Sequence, residues 1–215
     1  MRRTTVHIAG DAFCINGCPT YAGRTWRDLR IEGLLLNSRM VQGIFDDRNA
    51  QTRALWQYPD TGLWDPQRNT REFLEAMPVW RAHGLVSFDI CLQGGSPQGY
   101  SQHQPWHNNP FEPDGSLGPA AGAYLARLES ILDRADELDM VPMLCVFYFG
   151  QDERLENDAA VWRALDQSID WVLERGYTHV VMEVANEIDN RKYEQPLLRP
   201  AHAPELCARV RERSA

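Results

Sequence analysis

The chain has 215 residues, 43% of them hydrophobic and 24% charged, with a formal net charge of −8; this is the balance of a soluble globular unit able to bury a sizeable core. An acidic chain without a basic stripe argues against a nucleic-acid partner and against an anionic membrane surface. No run approaches the roughly 18 apolar residues of a membrane span, and the start shows a basic pair but no apolar stretch before Gly10 and Asp11, so the expectation is a cytoplasmic protein without a signal peptide.

Residues 6–15, closed by Asn16-Gly17, read as a short hairpin within an N-terminal strand or cap segment over 1–30. A first buried strand is expected at 41–45, ending at Asp46-Asp47. After a loop rich in Asp, Pro and Gly, the spacing of Phe73, Leu74, Met77 and Trp80 predicts a helix over 70–83. Asn69 and Glu72 resemble a capping box, Gly84 is the stop, and Pro78 predicts a kink or an early end. The second strand is 85–92, followed by Gln93-Gly94-Gly95 and a long aromatic loop. A helix over 120–138 leads to a strand at 141–149, and a helix over 157–175 leads to a strand at 179–184. A last helical piece covers 204–213.

The order β-α-β-α-β-α-β-α implies a parallel sheet with helical crossovers, and strands that are nearly continuous apolar runs imply cover on both faces. Roughly 45 residues per unit would bring eight units to on the order of 350–400, within the range of a (β/α)8 TIM barrel. The expectation is therefore an α/β fold of TIM-barrel type. The chain would be one partial domain over 1–215, holding the first four βα units behind a short hairpin. No glycine-rich phosphate loop follows any strand, so a nucleotide or dinucleotide cofactor is not expected.

Five cysteines (Cys14, Cys18, Cys91, Cys145, Cys207) without a zinc-type spacing read as reduced thiols, although Cys14 and Cys18 are close enough for a disulfide. His103 and His107 are four apart but flank Pro105, so a polar loop outweighs a metal site there. Neither a metal nor another cofactor is expected.

In parallel α/β folds, chemistry gathers at the carboxyl ends of strands. Four clusters sit there: Asp46 and Asp47, Gln93, Tyr148 with Gln151 and Asp152, and Asn186-Glu187 with Asp189. The last is the sharpest, because it sets a carboxyl beside an amide. Glycoside hydrolysis needs a carboxylic acid to protonate the leaving oxygen and gains from a hydrogen bond to a sugar hydroxyl. Aromatic faces can stack on sugar rings. Tyr100, Trp106 and Phe111 on the long loop, and Trp26, Trp56 and Trp64 earlier, are candidates, with loop packing the equal alternative. Glu183 reads as a buried, paired carboxylate.

The run Val181-Met182-Glu183-Val184-Ala185-Asn186-Glu187 resembles the fourth-strand motif of the clan A glycoside hydrolases, which include cellulase-like and mannanase-like barrels. The stretches Phe13 to Tyr21, Ile31 to Arg39 and Phe45-Asp46-Asp47 are similar to cellulase-like barrel proteins that open with a small strand unit. The resemblance implies Glu187 as acid/base and Asn186 as its substrate-orienting neighbour. Asp46, Asp47, Gln93, Trp106, Tyr148, Gln151 and Asp189 are the expected contacts to a carbohydrate. It also implies a nucleophilic Glu on a seventh strand, which these units do not include, and an Arg on strand two, where this chain has Asp89 and Gln93. A retaining hydrolase site in a truncated barrel is thus the leading expectation. A non-catalytic sugar-binding barrel, or a half-barrel that self-associates through its open edges, is the alternative.

Overall fold

The computed structural model describes residues 2–40, 42–95 and 104–214. The chain opens with an antiparallel meander of β1 (Val6–Ala9), β2 (Ala12–Ile15) and β3 (Cys18–Pro19), and Asn16-Gly17 is the turn between the second and third strands. A small ribbon of β4 (Thr25–Trp26) and β5 (Leu29–Arg30) follows. The main sheet has four parallel strands in the order β6 (Asn37–Arg39), β7 (Ser87–Cys91), β8 (Val141–Phe147) and β9 (Val181–Ala185). Helices α1 (Pro66–Ala82), α2 (Ala121–Glu137) and α3 (Asp158–Glu174) make the crossovers, and α4 (Ala203–Ser214) follows β9. This mixed α/β arrangement is that expected of a partial barrel.

The sheet is held by one face. Side chains alternate across a strand, and Phe88, Ile90, Leu144 and Val146, all fully buried, join Leu128, Ile131 and Leu132 of α2 and Val161, Leu165 and Ile169 of α3 in one core. The intervening positions point the other way. Cys91 and Cys145, paired in register, form a separate small cluster, while Asp89, Met143 and Glu183 are only partly covered. Helices cover the outer face, and the inner face mixes the buried Val141, Cys145 and Phe147 with the partly covered Asp89, Met143 and Glu183.

Two local expectations also change. The first strand of the parallel sheet is Asn37–Arg39, not 41–45; residues 42–44 form a turn, and residue 41 lies outside the described residues. α1 begins earlier than expected, because Pro66 fits the first helical position and the Asp65 carboxylate accepts the Arg68 N–H at 2.9 Å. Asn69 is inside the helix, donating from Nδ2 to the Gln42 carbonyl at 2.8 Å. The helix runs on through Pro78 to Ala82. α3 starts as its cap predicts, with Asn157 accepting the Ala160 N–H at 3.0 Å. All five cysteines are free. No helix among the described residues is long and apolar enough to cross a membrane.

The meander packs on the floor of the sheet, at the amino ends of the strands. The Val6 N–H donates to the Thr178 carbonyl just before β9 (3.0 Å). The buried Asp136 at the end of α2 accepts the N–H groups of Arg3 (3.0 Å) and Thr4 (2.8 Å) through Oδ1, and its carbonyl accepts the Thr4 hydroxyl (2.6 Å). Replacing Asp136 by Ala strands two backbone donors and should cost about 1–3 kcal/mol in urea unfolding, whereas Asp136→Asn, which keeps an acceptor, should cost less.

Candidate functional site at the strand ends

Asn186 and Glu187 follow directly on β9. The Asn186 backbone is fixed from both sides: its N–H donates to the Phe147 carbonyl on β8 (3.0 Å), and its carbonyl accepts the buried Tyr193 hydroxyl (2.6 Å). Glu187 then turns the chain with φ of 48°, a left-handed conformation that costs a non-glycine residue about 1–3 kcal/mol and recurs at functional sites. The turn is closed by the Asn190 N–H on the Glu187 carbonyl (2.7 Å), and Asn190 Nδ2 donates to Glu187 Oε2 (3.3 Å). The Glu187 side chain remains 46% exposed, whereas Asn186 is 5% exposed.

The group that joins these residues is Arg39, at the end of β6. Its Nη1 donates to Asn186 Oδ1 (2.8 Å) and lies 3.9 Å from Glu187 Oε1, and its Nη2 donates to the Tyr148 hydroxyl (3.3 Å). The other atom of the Asn186 amide, Nδ2, is buried and has no hydrogen-bond partner. The arginine at these strand ends stands on the first strand of the sheet, and the second strand carries Asp89. Its sequence cue was weak: a lone Arg in a polar stretch, ahead of the apolar run that was taken for the strand.

Beneath this cluster the inner face carries Asp89, in register with Arg39, and Glu183, in register with Cys145. Burial raises the Asp89 carboxyl above its ordinary range, and Arg39 partly offsets this. Burial and then the neighbouring Asp89 raise Glu183, again against Arg39. Asp89 Oδ1 is buried without a hydrogen-bond partner.

The other expected contacts are placed differently. Gln93 is fully buried; its Oε1 accepts the Tyr148 N–H (3.2 Å) and its Nε2 reaches Asn109 Oδ1 (3.3 Å) and the Gln151 carbonyl (3.4 Å). Gln151, also fully buried, donates to the Trp106 carbonyl (3.0 Å) and to Gln104 Oε1 (3.2 Å). Trp106, 7% exposed, gives its indole N–H to Gln104 Oε1 (2.6 Å) and meets Trp56 edge-on with centroids 5.7 Å apart. Asp47 is fully buried and satisfied by four donors: the N–H groups of Asn49 (2.8 Å) and His107 (2.9 Å), the Thr52 hydroxyl (2.6 Å) and the Trp56 indole (2.8 Å). These four side chains knit the first, second and third loops together. Asp46 is 15% exposed, bonded to the Trp64 indole (3.1 Å) and paired with Arg53 (3.3 Å). Asp189 is exposed in the turn after Glu187. Tyr100 and His103 lie outside the described residues.

No family model matches the chain, and no curated protein matches it. Among solved structures it is similar to a glycoside hydrolase family 5 mannosidase from Rhizomucor miehei, with a TM-score of 0.40 and 13% identity. The likeness covers 99% of this chain and 41% of that one, so the chain spans about two fifths of that enzyme's length.

One member of the loop network titrates. Burial, with the Arg154 and Arg48 guanidiniums, pushes His107 down to about 4, so it is neutral in the folded chain at neutral pH. The unfolded chain takes up that proton near the ordinary histidine pKa, at higher pH than the fold does. This contribution to stability is therefore complete above about 6.5 and is lost as pH falls toward 4. Urea unfolding of the parent should weaken over that window more than that of His107→Gln.

Proposed function

We propose that these strand ends form the acid/base half of a glycoside hydrolase site with a carbohydrate substrate, acting by the retaining two-carboxylate mechanism. The observation that carries this is the buried Asn186 Nδ2, an unpartnered donor beside the exposed carboxyl of Glu187. A buried donor left unpaired costs about 1–3 kcal/mol, which an acceptor on a ligand recovers. A sugar hydroxyl oxygen is such an acceptor. Glu187, protonated, gives its proton to the glycosidic oxygen as that bond breaks and a second carboxylate attacks the anomeric carbon. Glu187, now ionised, takes a proton from the water that displaces the enzyme carboxylate and frees the sugar.

That second carboxylate must be ionised and about 5–5.5 Å from Glu187. In this reading the nucleophile is the seventh-strand Glu that the resemblance implies, and neither Asp89 nor Glu183, whose carboxyls burial raises above their ordinary range. Asp189 remains a substrate contact in this scheme, whereas Tyr148, 2% exposed, is a partner of Arg39. Gln93, Gln151, Trp106 and Asp47 hold the loops, as their burial requires.

The open sheet favours a second function, sugar binding without turnover in a self-associated half-barrel, since among the described residues β6 and β9 each pair on one side only. In a protein that also carries the second carboxylate, Glu187→Gln separates the two. On a glycoside with a poor leaving group the substitution should cost roughly 10²–10⁴ in rate, and far less when the departing group is dinitrophenolate and needs no proton. Equal loss on both substrates would remove Glu187 from the acid role. Sugar binding with no turnover of either substrate by that same two-carboxylate protein would favour the second function.

A further inference from the structure

Arg39 takes no part in the proton transfers assigned to Glu187, yet the strand ends meet on it. It closes β6 at one edge of the sheet, whereas Asn186 follows β9 at the other, with β7 and β8 between. The guanidinium crosses that arc to reach Asn186 Oδ1 (2.8 Å), the Tyr148 hydroxyl (3.3 Å) and Glu187 Oε1 (3.9 Å). A guanidinium only donates. The atom of the Asn186 amide facing it must therefore be the oxygen, and Nδ2 is turned away, buried and without a partner. The arginine fork is planar and its donors are fixed relative to one another, so one side chain can set two acceptors at once; a lysine ammonium carries the charge without that geometry.

We propose that Arg39 is a positioning residue: spanning from the first strand of the sheet to the last, it locks the Asn186 amide in the orientation that presents Nδ2 as a donor, and keeps the Tyr148 hydroxyl and the Glu187 carboxyl beside it. This rests on the assignment of Asn186 and Glu187 to a sugar site, and it adds a selection rule. The ligand group met at Nδ2 must be an acceptor, such as a hydroxyl or ring oxygen, because a group that only donates would face another donor. Among the described residues, the charged groups around Arg39 include Asp89 on β7 and Glu183 and Glu187 on or just after β9, with Met143, Cys91 and Cys145 as neutral inner-face neighbours. Arg39 draws both Asp89 and Glu183 downward, against the effect of burial.

The test uses the 215-residue chain itself and needs neither turnover nor a bound sugar. The side-chain amide of Asn186 is assigned in nitrogen-15 NMR spectra by its loss in Asn186→Asp, and the Asp89 and Glu183 carboxyl carbons are followed through a pH titration. In Arg39→Gln the Asn186 amide signals should shift or double, and the two carboxyl midpoints should rise by about one pH unit as their cationic neighbour is lost. In Arg39→Lys the midpoints should stay near the parent values while the Asn186 amide still shifts, because charge is restored and the fork is not. Asn186 amide signals that match the parent in both variants, or that return to the parent position in Arg39→Lys, would overturn the positioning role. Should Arg39→Gln fail to fold, the amide shift in Arg39→Lys decides alone. Equal loss on both leaving groups in the Glu187→Gln comparison, with the amide responding as described, would count against the proposed reaction and leave the positioning role standing.

Discussion

The outer face of the parallel sheet is the constraint on which the rest depends. Phe88, Ile90, Leu144 and Val146 are fully buried against the crossover helices, and each such side chain contributes about 1.5–3 kcal/mol. Strand side chains alternate, so covering one face decides what stands on the other. Asp89, Cys91, Cys145 and Glu183 are on the inner face because Phe88, Ile90, Leu144 and Met182 are on the outer one. The same connection rule leaves one end of every strand opening into a loop on the same side, and Arg39, Tyr148, Asn186 and Glu187 come together there. The site's location is thus a by-product of how the core is buried.

Much of this was legible in the chain. β7, β8 and β9 carry apolar runs between turn residues, and the apolar periods of α2 and α3 match the buried faces observed. β6 was not legible. It is a three-residue edge strand, Asn-Ser-Arg, with no apolar alternation. Of the apolar pair that follows it, Ile44 is buried in the main core and Phe45 beneath the first loop with Trp56 and Trp106. Losing that strand also hid Arg39. Gln93, Gln151, Trp106 and Asp47 were chosen because polar and aromatic residues at strand ends tend to meet ligands, but long loops must satisfy their own backbone when they fold over a core. Asp47, with four donors around it, shows where such residues go.

The inner face has an electrostatic character of its own. Asp89, Glu183 and Glu187 lie around the guanidinium of Arg39. A cation shared in that way cannot neutralise each carboxyl separately, which is why burial prevails over attraction at Asp89 and Glu183. The left-handed backbone at Glu187 stores strain at the same spot. Strain, crowded charge and an unpartnered amide donor together mark this end of the sheet as a region not optimised for stability.

The anchoring of the meander bears on how the chain is made. β1 to β3 can pair from local contacts as soon as they are synthesised, but their holdfasts, Asp136 and the Thr178 carbonyl, lie far downstream. At about 5–20 residues per second on the ribosome, the segment waits roughly ten to thirty seconds for Thr178 to be made. During that interval Ile8, which remains largely exposed even in the finished fold, stands on an undocked ribbon with open edges. Nascent-chain chaperones would meet this meander before its holdfasts exist.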